Sequence, residues 1–143
     1  MTKPAAAIII AALLIAAIPA QALAAVRIER VQYDSPGADY GSNPSLNAEW
    51  VRIRNTGPTA RTLTGWTVRD NSGHVYRFGT LRLPKGEAVT LHTGRGSNTG
   101  HHRYWGSGSY VWNNTGDKAT LKTSGGNFAD SCRWSGGATA TAC

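Results

Sequence analysis

The residues of this sequence that could carry chemistry are few, and the histidines come first. There are four: His74, His92, His101 and His102. His101 and His102 end a glycine-rich stretch, Gly94 to Arg103, where adjacent residues of an extended chain point to opposite sides and make a poor metal pair. A zinc site built from His92, one of that pair and a carboxylate requires the loop to fold back, and histidines on a surface loop are the simpler reading. Oxygen donors are denser. Asp34, Asp39, Asn43 and Asn47 crowd one segment, a composition that suits calcium, although D-S-P-G-A-D departs from the EF-hand order and such residues are also ordinary in turns. An enzyme would need a nucleophile–base pair, paired carboxylates or a metal site. No residue is assigned such a role, so the chain is expected to be non-catalytic, with no cofactor and no resident metal.

The cations offer more. Lys and Arg number 15 against 8 acidic residues, a formal charge of +7. A chain this basic is drawn to anionic surfaces such as nucleic acid, cell-wall polymers or lipid headgroups, and the same charge also serves solubility. Arg52, Arg54, Arg95 and Arg103 are the candidate anion-binding residues; Arg52 and Arg54 lie two apart in an alternating stretch and so share a face. Arg61, Arg69, Arg77, Arg82 and Lys85 are spread over other strands and turns. Tyr104, Trp105 and Tyr110 lie among glycines, where exposed rings could stack on bases or cover the apolar faces of sugars. Packing beneath the loop is the competing use of those rings. Asn113-Asn114-Thr115 fits the glycosylation pattern but overlaps a turn and carries no argument.

Short strands must hold these residues in place. Val26 to Tyr33 alternates, with the period slipping at Arg30 as a bulge would make it. Trp50 to Arg54 alternates and ends in the turn Asn55-Thr56-Gly57-Pro58; a strand from Thr62 to Arg69 turns at Asp70 to Gly73 and returns as His74 to Phe78. Leu81 and Leu83 precede Pro84-Lys85-Gly86, and Glu87 to Thr93 alternates cleanly. Tyr110 to Trp112, Ala119 to Lys122 and Phe128 to Trp134 complete the series, the last two joined at Gly125-Gly126. Nothing after residue 25 reads as helix. Eight or nine short strands without crossover helices predict an all-β, immunoglobulin-like antiparallel β-sandwich. Trp66 is expected between its sheets, with Trp50 and Trp112 packed as well.

The N-terminal segment is of another kind. Lys3 precedes the apolar run Ala5 to Ile18, Pro19 breaks it, and Ala22-Leu23-Ala24 supplies small residues for cleavage. The run is short for a membrane span, which needs roughly 20 residues. Residues 1–24 are therefore read as a signal peptide, and 25–143 as one domain that does not insert in the membrane. Cys132 and Cys143 fall close together in a glycine-rich tail; in an oxidising compartment they are expected to pair, pinning the tail.

Several longer motifs then stand in a fixed order. Asn47-Ala-Glu-Trp-Val-Arg-Ile-Arg-Asn-Thr-Gly57, Leu63-Thr-Gly-Trp66, Arg69-Asp-Asn-Ser-Gly73, Tyr76-Arg-Phe78, Leu83-Pro-Lys-Gly86, Gly94-Arg-Gly96 and Trp112-Asn-Asn-Thr-Gly-Asp117 resemble the lamin tail domain family over nearly the whole of residues 25–143. Tyr33-Asp-Ser-Pro-Gly37 and Asp130-Ser-Cys132 are similar to its bacterial secreted members. The resemblance implies an immunoglobulin-like sandwich and an interaction module; the family's animal members contact proteins and DNA. The expectation is a monomeric, secreted binding module presenting the loops Asp34–Asn47 and Gly94–Tyr110. Its partner would be a protein, a cell-wall polymer or nucleic acid. A small secreted metal-dependent hydrolase of nuclease type and a structural envelope component are the alternatives.

Overall fold

The computed structural model describes residues 25–143 and, of the first 24, only Thr2, Pro4 and Ala12; the expected signal peptide lies outside the described residues. Alternation of apolar and polar residues sets the strands. They are β1 (Val26–Gln32), β2 (Trp50–Asn55), β3 (Arg61–Thr62), β4 (Thr67–Arg69), β5 (Val75–Arg77), β6 (Arg82–Leu83), β7 (Ala88–His92), β8 (His102–Tyr104), β9 (Asp117–Lys122), β10 (Phe128–Trp134) and β11 (Ala140–Ala142). A five-stranded sheet in the order β11-β1-β2-β7-β8 faces a four-stranded sheet, β10-β9-β4-β5, while β3 and β6 form a separate ribbon. This is the expected immunoglobulin-like sandwich, with differences in detail.

The described residues form eleven strands in place of the eight or nine expected. The segment Thr62 to Arg69 splits, because Leu63-Thr64-Gly65-Trp66 turns between β3 and β4, with Gly65 at φ 80°. Tyr110 to Trp112 is not a strand, and Ala140–Ala142 is one because it lies antiparallel along β1. The segment Asp34–Asn47 contains a single helical turn, α1 (Asn43–Asn47). The Ser42 hydroxyl caps it by accepting from the Ser45 N–H, Pro44 fits the first turn, and Leu46 anchors it in the interior. The sheets are antiparallel except at one edge: β8 runs parallel to β7. The glycine-rich connection makes that return possible, fixed by the Arg103 guanidinium, which donates to the Thr99 and Thr80 carbonyls at 2.9 Å each.

The bulge falls where the slipped period places it. Ile28 pairs with Ile53 and Arg30 with Arg52, leaving Glu29 as the extra residue. The slip keeps Val26, Ile28, Val31 and Tyr33 all inside while Arg27 and Arg30 both point out. These apolar residues meet Val51, Ile53, Val89 and Leu91 of their own sheet and Val68, Ala119, Leu121 and Trp134 of the other. Tyr33 stacks on Trp134 at 5.0 Å, and Trp112 and Trp105 continue the aromatic chain edge-to-face. Trp66 and Trp112 are buried as expected, whereas Trp50 is half-buried on the outer face with the Arg52 guanidinium 4.6 Å above its ring. Cys132 of β10 and Cys143, just past β11, form a disulfide that ties the four-stranded sheet to the edge of the five-stranded one.

Candidate binding face

The alternation that fills the core from one side of the five-stranded sheet loads the other side with cations and rings. Cross-strand register arranges them in rows. One row runs Gln32, Trp50, His92, Tyr104; the next runs Arg30, Arg52, Thr90, His102; a third pairs Arg27 with Arg54 beside Ala88. Two arginine pairs thus sit directly opposite one another, an arrangement that costs rather than stabilises, by about 0.2–1 kcal/mol per pair. Glu29 is the only acidic residue on the strands of this sheet. It holds Arg54 through both oxygens, Nε to Oε1 at 2.7 Å and Nη2 to Oε2 at 3.0 Å, while Nη1 donates to the Gly86 carbonyl at 2.8 Å. That bond, with the charges of Arg54 and Arg52, keeps the Glu29 carboxyl below its ordinary range despite some desolvation. Arg27 and Arg30 make no ion pair with the described residues. At the bulge the face dips into an open groove of about 200 Å³ lined by Arg27, Ile28, Glu29, Arg54, Thr56 and Cys143.

The rings of this face are stacked on one another. His92 lies between His102, at 5.2 Å, and Tyr104, at 5.0 Å. Its Nδ1–H donates to the Asn47 carbonyl at 2.8 Å, which leaves Nε2 to accept from His102 Nδ1 at 2.9 Å. Burial pushes the His92 imidazole below its ordinary value; the Asn47 bond opposes that and the charge of a protonated His102 adds to it. The far side of Tyr104 rests on Gly96, where any Cβ would overlap the ring. The loop does fold back as a zinc site would require, but it delivers His102 to His92 without a carboxylate. His101 Nδ1 instead faces Glu87 at 3.9 Å, and among the described residues no three His, Cys, Asp or Glu side chains converge as a metal site.

The other sequence candidates are dispersed. Arg103 is 8 % exposed and committed to the Thr99 and Thr80 carbonyls, so it braces the loop and is not part of an anion-binding surface. Arg95 is exposed on the connection, with its backbone clamped: Asn43 and Asn47 donate to its carbonyl, and Asn43 Oδ1 accepts its N–H at 2.8 Å. The four oxygen donors proposed for calcium are consequently divided, since Asp34 and Asp39 instead share the side-chain amide of Asn114. Nor do Tyr104, Trp105 and Tyr110 form one platform. Adjacent strand residues face opposite ways, so Trp105 packs on Trp112 and Tyr76 while Tyr104 joins the outer row. The Tyr110 hydroxyl bonds the Ser45 hydroxyl at 2.7 Å and accepts the Gly41 N–H.

Two features escaped the sequence reading. Arg27 and Arg30 join the face only because the bulge changes their phase, a signal present in the slipped alternation. Glu49 is the other: it is 1 % exposed, and its Oε1 accepts from Thr93 Oγ1 at 2.7 Å, Val111 N at 2.8 Å and Trp112 N at 3.2 Å. Its Oε2 is buried without a partner. Burial pushes its carboxyl up to about 7, against the pull of those three bonds and with a small push from Asp39. Extending the β2 alternation back one step would have placed Glu49 on the inward side with Val51 and Ile53.

The family model described as Lamin Tail Domain matches residues 19–136 of the chain. No curated protein matches it.

Proposed function

The chain belongs to the lamin tail domain family, and we propose that it acts as a non-catalytic, extracellular binding module whose five-stranded sheet holds an anionic polymer on its outer face. The observation that carries this reading is the pair of directly opposed arginine couples, Arg27 with Arg54 and Arg30 with Arg52, against a single carboxylate. Such couples are electrostatically unfavourable in the free protein, and a polyanion laid across them converts repulsion into attraction with release of counterions. Arg54 has its Nε/Nη2 edge occupied by Glu29 and its Nη1 by the Gly86 carbonyl, so the cations left to meet a phosphate are Arg27, Arg30 and Arg52. The Cys132–Cys143 disulfide and the N-terminal apolar run both support an extracellular setting. No helix among the described residues is long and apolar enough to cross a membrane.

Binding of the purified protein to a short DNA duplex and to a glycerol-phosphate polymer, measured from about 50 to 200 mM salt, tests the reading. The expected result is affinity that falls steeply with salt, no turnover of either polymer, and a slope reduced by about 2 in the Arg30→Gln, Arg52→Gln variant. The preferred polymer identifies the biological source of the phosphate. Salt-independent binding, or binding unchanged by the double substitution, would sink the proposal.

A further inference from the structure

The opposite side of the sandwich carries a second basic surface. In the four-stranded sheet Val68, Ala119, Leu121, Cys132 and Trp134 fill the core, which turns Arg69, Arg77, Lys118, Lys122 and Arg133 to the outside. Lys118 stands directly opposite Arg133, again a like-charge couple. Along the same strands Thr120 pairs with Ser131 on one side and Arg69 on the other, and Thr67 lies between Lys122 and Arg77, both threonines buried; Phe128, opposite Lys122, and Val75, opposite Arg69, are exposed on the two edge strands. The two acids on these strands do not offset the charge there. Asp117 is buried and bonds the Asn71, Asn113 and Lys118 N–H groups, and Asp130 accepts the Ile28 N–H of β1 in the other sheet.

We infer that this second face binds an anionic polymer as well, so that one domain bridges two polyanion chains. The inference rests on the function proposed above for the first face. Charge complementarity selects the occupant: five cations and no outward acid suit a phosphate backbone, while the two exposed apolar side chains, Phe128 and Val75, stand apart on opposite edge strands with β9 and β4 between them. Geometry makes simultaneous occupation feasible. Packed sheets lie about 10 Å apart before the outward reach of the side chains is added. The Debye length at physiological ionic strength is roughly 8 Å, so a chain on one face barely feels a chain on the other. Repulsion between the two chains therefore does not forbid the second binding event.

The test mixes donor-labelled and acceptor-labelled 12-base-pair DNA duplexes with the purified protein, reading stoichiometry by titration and bridging by energy transfer. Light scattering establishes that the protein itself is monomeric in the assay. The expected result is two duplexes per protein, with energy transfer that peaks below saturation and fades when protein is in excess. Lys118→Gln with Arg133→Gln should lower the stoichiometry to one and abolish transfer while leaving the first site intact; near-UV circular dichroism checks the fold of this variant. One duplex per wild-type monomer, or transfer unaffected by that variant, overturns bridging. If wild type binds one duplex and Arg30→Gln with Arg52→Gln removes it, bridging fails and the first-face reading stands. If only the second-face variant loses binding, the first-face reading fails along with bridging.

Discussion

Glu49 provides the sharpest test of how this fold is held together. Its carboxyl is pushed to about 7 from an ordinary 4.5, chiefly by burial. The folded protein therefore prefers the protonated acid, and the sign follows. The stabilising contribution is fully present below about pH 4.5 and is lost as pH rises through 7. The displacement corresponds to about 3 kcal/mol of unfolding free energy between pH 4 and pH 8. For a domain of this size that is on the order of 10 °C in Tm. Glu49→Gln keeps a neutral acceptor where Oε1 meets Thr93, Val111 and Trp112 and removes the proton equilibrium. Any mismatch of its amide at the position of Oε2 is a pH-independent offset. Urea unfolding of both proteins from pH 4 to pH 8 should therefore show the variant gaining on wild type by about 3 kcal/mol as pH rises. Contributions from other groups, including Glu29, cancel in the difference. Parallel profiles would mean that Glu49 titrates alike folded and unfolded, and the argument from burial would be wrong. Glu49→Ala, which strands three donors, should lose stability at every pH.

Arg30→Thr removes one member of an opposed arginine pair and should raise stability by about 0.2–1 kcal/mol at low salt while weakening polymer binding, as denaturation and binding titrations would show. Arg103→Gln takes away donors from the Thr99 and Thr80 carbonyls and should cost about 1–3 kcal/mol, with faster amide exchange across Gly94–His101; unchanged exchange there would contradict the bracing role. Cys132→Ser with Cys143→Ser should lose roughly 2–3 kcal/mol in chemical unfolding and release the amides of β11, as reduction of the wild-type disulfide should.

The strands could be read from the sequence wherever one face is core and the other is solvent, because burial enforces a period of two. β2, β7, β9 and β10 show this, and even the bulge in β1 left its mark as a slipped period. Legibility failed where structure depends on distant partners. β11 has no alternation of its own and exists because it adds to the edge of β1. The one-turn helix α1 hides among residues that equally suit a turn, and only its cap and Leu46 distinguish it. The parallel pairing of β8 with β7 follows from where Arg103 and the Asn43–Asn47 clamp hold the connection, which no local pattern encodes.

The arginines show the same limit and bear most directly on function. A count of charges treats Arg103 and Arg30 alike, yet the first is a buried brace and the second, without an ion pair among the described residues, faces its own kind across a sheet. Cross-strand register, which comes from the whole fold, separates them. It also decides what the rings can do. Tyr104 is held between His92 and Gly96, and one face of Trp50 is covered by Arg52, so much of the ring surface that would stack on bases is already used. What remains is an array of guanidinium groups and ring edges beside the groove at the bulge. On the function proposed above, such a surface would respond to the spacing and density of negative charge along a polymer; reading a base sequence would take base-edge contacts within a groove. The electrostatic tension within each face is tolerated because the apolar interior and the inter-sheet disulfide hold the scaffold independently of it.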